Sequence, residues 1–230
     1  MKTNLKRLLK RTLVLGALSA IALLTFTACA QTDVVASVSI TSFDKVLKLS
    51  DVTTDEMYGG WALSAPDKSA RFIFSSDFKA STPHDVMIET DAQPFIDAGL
   101  DTSKLPAGMF VDGKIMVGQD LGDTAFPDSA KASAIASYEE LVKLKRSTIG
   151  YHEKLDHYGI DLGNGNKFEW AKDMGKNDKD IVFVLDPKIF IDAGVDPAKV
   201  SGWVFAKVEM KDAAGKPVSL DKFLKPFNLQ

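Results

Sequence analysis

The segment PFIDAGLDTSKL, Pro94 to Leu105, recurs as IFIDAGVDPAKV, Ile189 to Val200. Seven of the ten positions from Phe95 to Lys104 are identical at Phe190 to Lys199, and Gly99 and Gly194 are 95 residues apart. The likeness spreads outward from there. FIFSSDF at 72–78 is answered by FEWAKDM at 168–174, and DVMIETD at 85–91 by DIVFVLD at 180–186. Tyr58-Gly59 is matched by Tyr158-Gly159, SFDKVLKL at 42–49 by SYEELVKL at 137–144, and a third echo, SLDKFLKP, falls at 219–226. Solenoid repeats run about 20–50 residues. A period of 95 residues instead describes a duplicated domain, or two halves of one domain.

Local patterns give the elements of one unit. SYEELVKLKR reads as a helix with Ser137 as N-cap, Glu140 completing a capping box, and Tyr138, Leu141, Val142 and Leu144 on one face. GWALSA and ARFIFSS read as two strands about the turn PDKS; Phe72 and Phe74 alternate with Arg71, Ile73 and Ser75, the period of a half-buried strand. Phe168 and Trp170 repeat this with Glu169 turned to water, and GNGNK at 163–167 is the second hairpin turn. IVFVL at 181–185 is apolar throughout, as in a central strand covered on both faces. A short helix and a last strand, GWVFAKVEM, complete the unit, with a right-handed parallel β–α–β crossover as the expected link. The expected fold is α+β. It comprises two tandem helix–β–β–β–helix–β repeats related by a pseudo-two-fold, mostly antiparallel with one crossover each. KFLKPFNL, Lys222 to Leu229, reads as the end of a capping helix.

The doubled segment also repeats its carboxylates: Asp91, Asp97 and Asp101, then Asp186, Asp192 and Asp196. Most have a local task. Asp186-Pro187 and Asp196-Pro197 are cap-and-proline pairs at helix starts, and Gly99 and Gly194 fall where a left-handed residue ends a helix. The spacing does not fit a calcium loop, which requires D-x-D-x-D-G and a distal glutamate.

Residues 1–28 form a leader. Lys2, Lys6, Arg7, Lys10 and Arg11 precede the apolar run LVLGALSAIALLTF, too short and too small-residue-terminated for a stable span. Thr27-Ala28-Cys29 resembles the lipobox of bacterial lipoproteins, with Phe26 where that motif prefers an aliphatic residue. The resemblance covers the leader only. It implies acylation of Cys29, the one cysteine of the chain, and an extracytoplasmic protein lipid-anchored to a bacterial membrane. The alternative is cleavage at Ala28-x-Ala30 and secretion. The expected organisation is signal peptide 1–28, tether 29–39, repeat unit 40–122, linker 123–134, and a second repeat unit 135–230 with a C-terminal cap. The leader removes five of 28 basic residues and none of 31 acidic ones, leaving a formal charge of −8. That charge, without a basic cluster, argues against nucleic acid as a partner.

Chemistry-bearing motifs are sparse. The body has no cysteine, no G-x-S-x-G elbow and no phosphate-binding glycine loop, and it implies no cofactor. YHEKLDHYG, Tyr151 to Gly159, places His152 and His157 near Glu153 and Asp156, in what reads as an insertion (145–157) absent from the first unit. The two histidines are five apart, off the i, i+4 spacing of a zincin helix, and are candidate metal ligands only if a loop brings them together. Tyr58 and Trp61, beside Gly59-Gly60, and Tyr158 are candidate ligand-binding aromatics; Trp170 and Trp203 read as core. The expected function is a non-enzymatic binding or interaction module held at the cell envelope, with an unidentified small-molecule or protein ligand. The alternative is a cell-envelope hydrolase or metal-dependent enzyme with its site near 151–158. On the lipobox reading, Cys29→Ser moves the protein from the membrane fraction to the soluble fraction of the host cell. Wild-type protein found soluble with Gln31 at its N-terminus would overturn it.

Overall fold

A computed structural model describes residues 34–76, 84–120, 133–144, 149–174, 179–211 and 215–229. The leader and Cys29 lie outside the described residues. The chain begins with helix α1 (34–49), followed by β1 (Val52–Asp55), β2 (Gly60–Ser64), β3 (Ala70–Ser75), β4 (Val86–Asp91), helix α2 (Gln93–Asp97), β5 (Phe110–Val111) and β6 (Lys114–Gln119). The same order follows in α3 (Ala134–Leu144), β7 (Ile149–His152), β8 (His157–Asp161), β9 (Lys167–Ala171), β10 (Ile181–Leu185), α4 (Lys188–Asp192), β11 (Val204–Lys211) and β12 (Pro217–Phe227). The strands make two six-stranded sheets, ordered β1-β2-β3-β4-β6-β5 and β7-β8-β9-β10-β12-β11. The fold is α+β with few helices. Residues 34–39, assigned to a tether by sequence, are helical, with Ala36 and Ser39 buried.

Several expectations are corrected. Every strand pair is antiparallel, so β4 and β6, and likewise β10 and β12, are not joined by a parallel crossover. The intervening segment returns through a helix, a 3-10 turn and one extra strand, which reverses the chain direction. Residues 145–157 are not wholly an insertion outside the core. Ile149–His152 is the edge strand β7, standing where β1 stands in the first sheet. Lys222–Phe227 is strand rather than helix, and Pro226 is tolerated because β12's pairing with β11 ends at Val204↔Leu224. Ser137 is not a cap but an interior helix residue; the hydroxyl of Ser133 takes that role, accepting from the Ala136 amide at 3.2 Å. The registers also replace the Tyr58/Tyr158 match. Trp61 pairs with Phe74 as Tyr158 pairs with Trp170, so Trp61 holds the place of Tyr158.

The matched aromatics meet across the core. Phe72 and Phe168 stack with ring centroids 4.1 Å apart, and Phe43 of α1 lies 4.0 Å from Tyr138 of α3 and 5.3 Å from Trp170. Each long helix also reaches the other sheet. The Ser42 hydroxyl donates to the Ala171 carbonyl and the Ser137 hydroxyl to the Ser75 carbonyl, both at 3.2 Å and both buried. These serines stand at interior helix positions because their hydroxyls satisfy carbonyls at the ends of β9 and β3.

The two FIDAG segments pack on each other. Phe95 and Phe190 lie 4.9 Å apart, the Asp101 amide donates to the Ala193 carbonyl at 2.9 Å, and the Asp196 amide donates to the Ala98 carbonyl at 2.8 Å. Both helices end in a Schellman motif: Leu100 N–H to Phe95 C=O and Gly99 N–H to Ile96 C=O, with Val195 to Phe190 and Gly194 to Ile191 alongside. Gly99 and Gly194 have φ of +105°, as expected for such ends. They also have a second duty. A Cβ on Gly99 would lie 2.8 Å from the Gly194 carbonyl oxygen, and one on Gly194 would lie 2.9 Å from that of Gly99. Asp101 and Asp196 cap the following 3-10 turns, accepting from Ser103 N–H and Ala198 N–H. Gly108, at φ +82° with open space around it, isolates the conformational cost. Gly108→Ala should lose about 1–2 kcal/mol, and Gly99→Ala and Gly194→Ala should each lose clearly more, because backbone must move as well. Urea unfolding of the three variants checks this order.

Candidate functional site

The outward faces of the two sheets differ. On the first, Tyr58 covers Ala62, Ile73, Met87 and Met116 in a small apolar cluster, its hydroxyl 3.3 Å from the Met116 sulfur. Arg71 seals the flank. It binds Glu89 through two parallel hydrogen bonds of 2.9 and 3.0 Å and also pairs with Asp55, whose other oxygen accepts from the Tyr58 amide at 2.9 Å. Desolvation, then the nearby Glu89 carboxylate, raises the Tyr58 pKa, so this phenol stays neutral. The face is filled.

The second sheet holds open space on its outward side, a cleft of ≈ 750 Å³ lined by residues from all six strands. The sheet curls until its opposite edges meet: Lys154, in the β7–β8 turn, ion-pairs with Glu209 on β11. By strand order and register, Gly159 stands where the first sheet has Ala62, Glu169 where it has Ile73, and Val182 where it has Met87. The sealing trio Asp55, Arg71 and Glu89 gives way to His152, Lys167 and Val184, and Gly60 to His157. Three changes thus open the cleft: among the described residues none fills the place of Tyr58, the ion cluster is replaced, and a glycine stands for an alanine.

At the floor, His157 is 4% exposed and Glu169 7%. The His157 Nδ1 lies 3.9 Å from a Glu169 carboxylate oxygen, too far for a hydrogen bond, and Nδ1 has no partner. His152 pairs with His157 across the β7–β8 ladder. Desolvation lowers the pKa of His152, outweighing the attraction of Glu169. Val182 and Val184 of β10 give the apolar wall, and Leu224 and Pro226 continue it on β12. Near the mouth, the Tyr151 hydroxyl donates to Asp156, which raises its pKa to about 12, and the ring packs 5.2 Å from Tyr158.

Among the sequence candidates, His152 and His157 come together in the cleft. Tyr158 is buried in the main core against Trp170, Tyr58 fills the first sheet's face, and Trp61 is partly buried against the main core. Among the described residues no three His, Cys, Asp or Glu side chains are grouped so as to hold a metal ion. Glu169 is the residue that sequence reasoning misplaced, since it is buried rather than turned to water. A signal for it was present: β10 is apolar on both faces, yet α4, the short helix that follows it, buries Phe190 in the main core and leaves the second face uncovered. Comparison of the chain with family models, with curated proteins and with solved structures returns no match.

A buried carboxylate without a donor lowers stability. Glu169→Ile, which copies Ile73 of the first sheet, should therefore stabilise the ligand-free protein by about 1–3 kcal/mol, read from the shift in urea midpoint at constant slope.

Proposed function

We propose that the chain is a non-enzymatic binding module of the cell envelope, lipid-anchored through Cys29, that receives a small molecule in the cleft of the second sheet. The supporting observation is the contrast between equivalent faces: one is filled and sealed, while the other keeps ≈ 750 Å³ open over the buried Glu169. Binding clefts of this size are largely apolar with a few placed polar groups, and Val182, Val184, Leu224, His157 and Glu169 follow that pattern. The described lining contains no serine, threonine or cysteine, which favours binding over a hydrolase with a covalent intermediate. No helix among the described residues is long and apolar enough to cross a membrane, and the anchor belongs to this proposal through the leader alone.

The proposal includes the architecture. The units 40–122 and 135–230 are tandem copies related by a pseudo-two-fold passing between Gly99 and Gly194. The matched strand order and the reciprocal Ser42 and Ser137 bonds support this. One copy then keeps the stabilising face and the other the ligand. Gly150 provides the test. It lines the cleft, and a Cβ built on it meets nothing within 4 Å. The purified body of the protein should bind the neutral dye Nile red saturably, with increased fluorescence, and Gly150→Trp should abolish that signal while the far-ultraviolet circular dichroism stays unchanged. Unaltered dye binding by Gly150→Trp would place the ligand elsewhere.

A further inference from the structure

Two acceptors face one gap at the floor of the cleft. Glu169 is the only acid or base among the described cleft residues, histidines aside, whose side chain is buried, and among the described residues no hydrogen bond is donated to its carboxylate. The His157 Nδ1 has no hydrogen-bond partner among the described residues, and in the tautomer protonated at Nε2 it is a second acceptor, 3.9 Å from the Glu169 carboxylate. An N–H donor sits about 2.9 Å from its acceptor, so a single nitrogen bridges two acceptors 3.9 Å apart. Such a nitrogen needs at least two hydrogens, and beside a buried carboxylate a positive charge makes both bonds shorter and stronger. The wall around it is hydrocarbon from Val182, Val184 and Leu224. The remaining cations, Lys154, Lys167 and Lys179, are exposed or half-exposed, and Lys154 is already paired with Glu209. The exposed part of the lining balances these three lysines with Glu153, Asp161 and Glu209, so the uncompensated charge is the buried one at the floor.

We propose that the cleft selects a primary ammonium carried on an apolar body, with the nitrogen bridging Glu169 and His157 and the hydrocarbon lying along β10 and β12. This rests on the cleft being the binding site.

The test uses displacement of Nile red from the protein by octylamine, octanol and octanoate, which share a chain and differ in the head. Octylamine should displace the dye at least about tenfold more tightly than octanol, with octanoate weakest. Glu169→Gln should bring octylamine to the level of octanol. Equal displacement by octylamine and octanol in the wild type would show that the gap holds water, and would overturn the proposal. Tightest binding of octanoate would overturn it too, by assigning recognition to the lysines. Absence of Nile red binding in the wild type would remove the binding reading itself, and the ammonium proposal with it, which distinguishes the two failures.

Discussion

Two glycine backbones pressed together set the terms for the rest of the molecule. At Gly99 and Gly194 each carbonyl oxygen occupies the space in which the other residue would place its Cβ. The contact holds two helix ends back to back, lets Asp101 and Asp196 donate amide bonds across the junction, and brings Phe95 and Phe190 together. Those bonds fix the distance between β4 and its counterpart β10, since α2 and α4 follow these strands directly. With that distance set, Phe72 stacks on Phe168, and α1 and α3 have room for Phe43 and Tyr138 to meet. The sentence FIDAG is written twice because its two copies are each other's packing partner.

Sharing one core frees the outward faces to differ. On the first sheet, Tyr58 and the Asp55–Arg71–Glu89 cluster turn the face into a second small core. On the second, His152, Lys167 and Val184 stand at the places of that ion cluster, and Glu169 and His157 stand at those of Ile73 and Gly60. Functional sites are commonly less stable than the scaffold that holds them, and here the two roles fall on opposite ends of one chain. The ion pair that recurs in both sheets makes the same point from the other side. Asp91 pairs with Lys114 and Asp186 with Lys222, at positions that join the third and last core strands, and Lys222 is held at 1% exposure with a further bond to the Gly165 carbonyl. What supports the sheets is kept, while what lines their outer faces is not.

Much of the frame is legible in local pattern. Helix-ending glycines, the capping Asp196, the GNGN turn and the alternation of Phe72, Phe74, Phe168 and Trp170 are short-range signals that appear where their chemistry requires, whereas Asp186 is not the N-cap expected: it stands one residue before the Pro187 N-cap of α4 and accepts from the Lys188 amide. What escapes is non-local. VTTD and IGYH are too short and too polar to announce β1 and β7, which exist only because a neighbouring strand offers a ladder. Phe223 and Phe227 are four apart and so mimic a helix face, but in β12 they share the inward face with Lys225, while Leu224 and Pro226 alternate with them on the cleft side. Ser137 resembles a cap, yet its carbonyl partner is 62 residues away. The cleft was half legible. Alternation puts Glu169 opposite Phe168 and Trp170, but only the curl of the whole sheet makes that side an interior.

The Lys154–Glu209 bridge that closes this curl is an exposed pair, with side chains 70% and 64% accessible. Such pairs contribute about 0–1 kcal/mol and weaken with salt. The seam at the mouth therefore parts on the scale of thermal energy, without unfolding any strand. On the proposed binding reading, arrival of a ligand would be limited by encounter rather than by a gate, and how long it stays would be decided at the far end, by the contacts it makes beside Glu169. Residence time, more than entry, is the property this geometry leaves open to tuning.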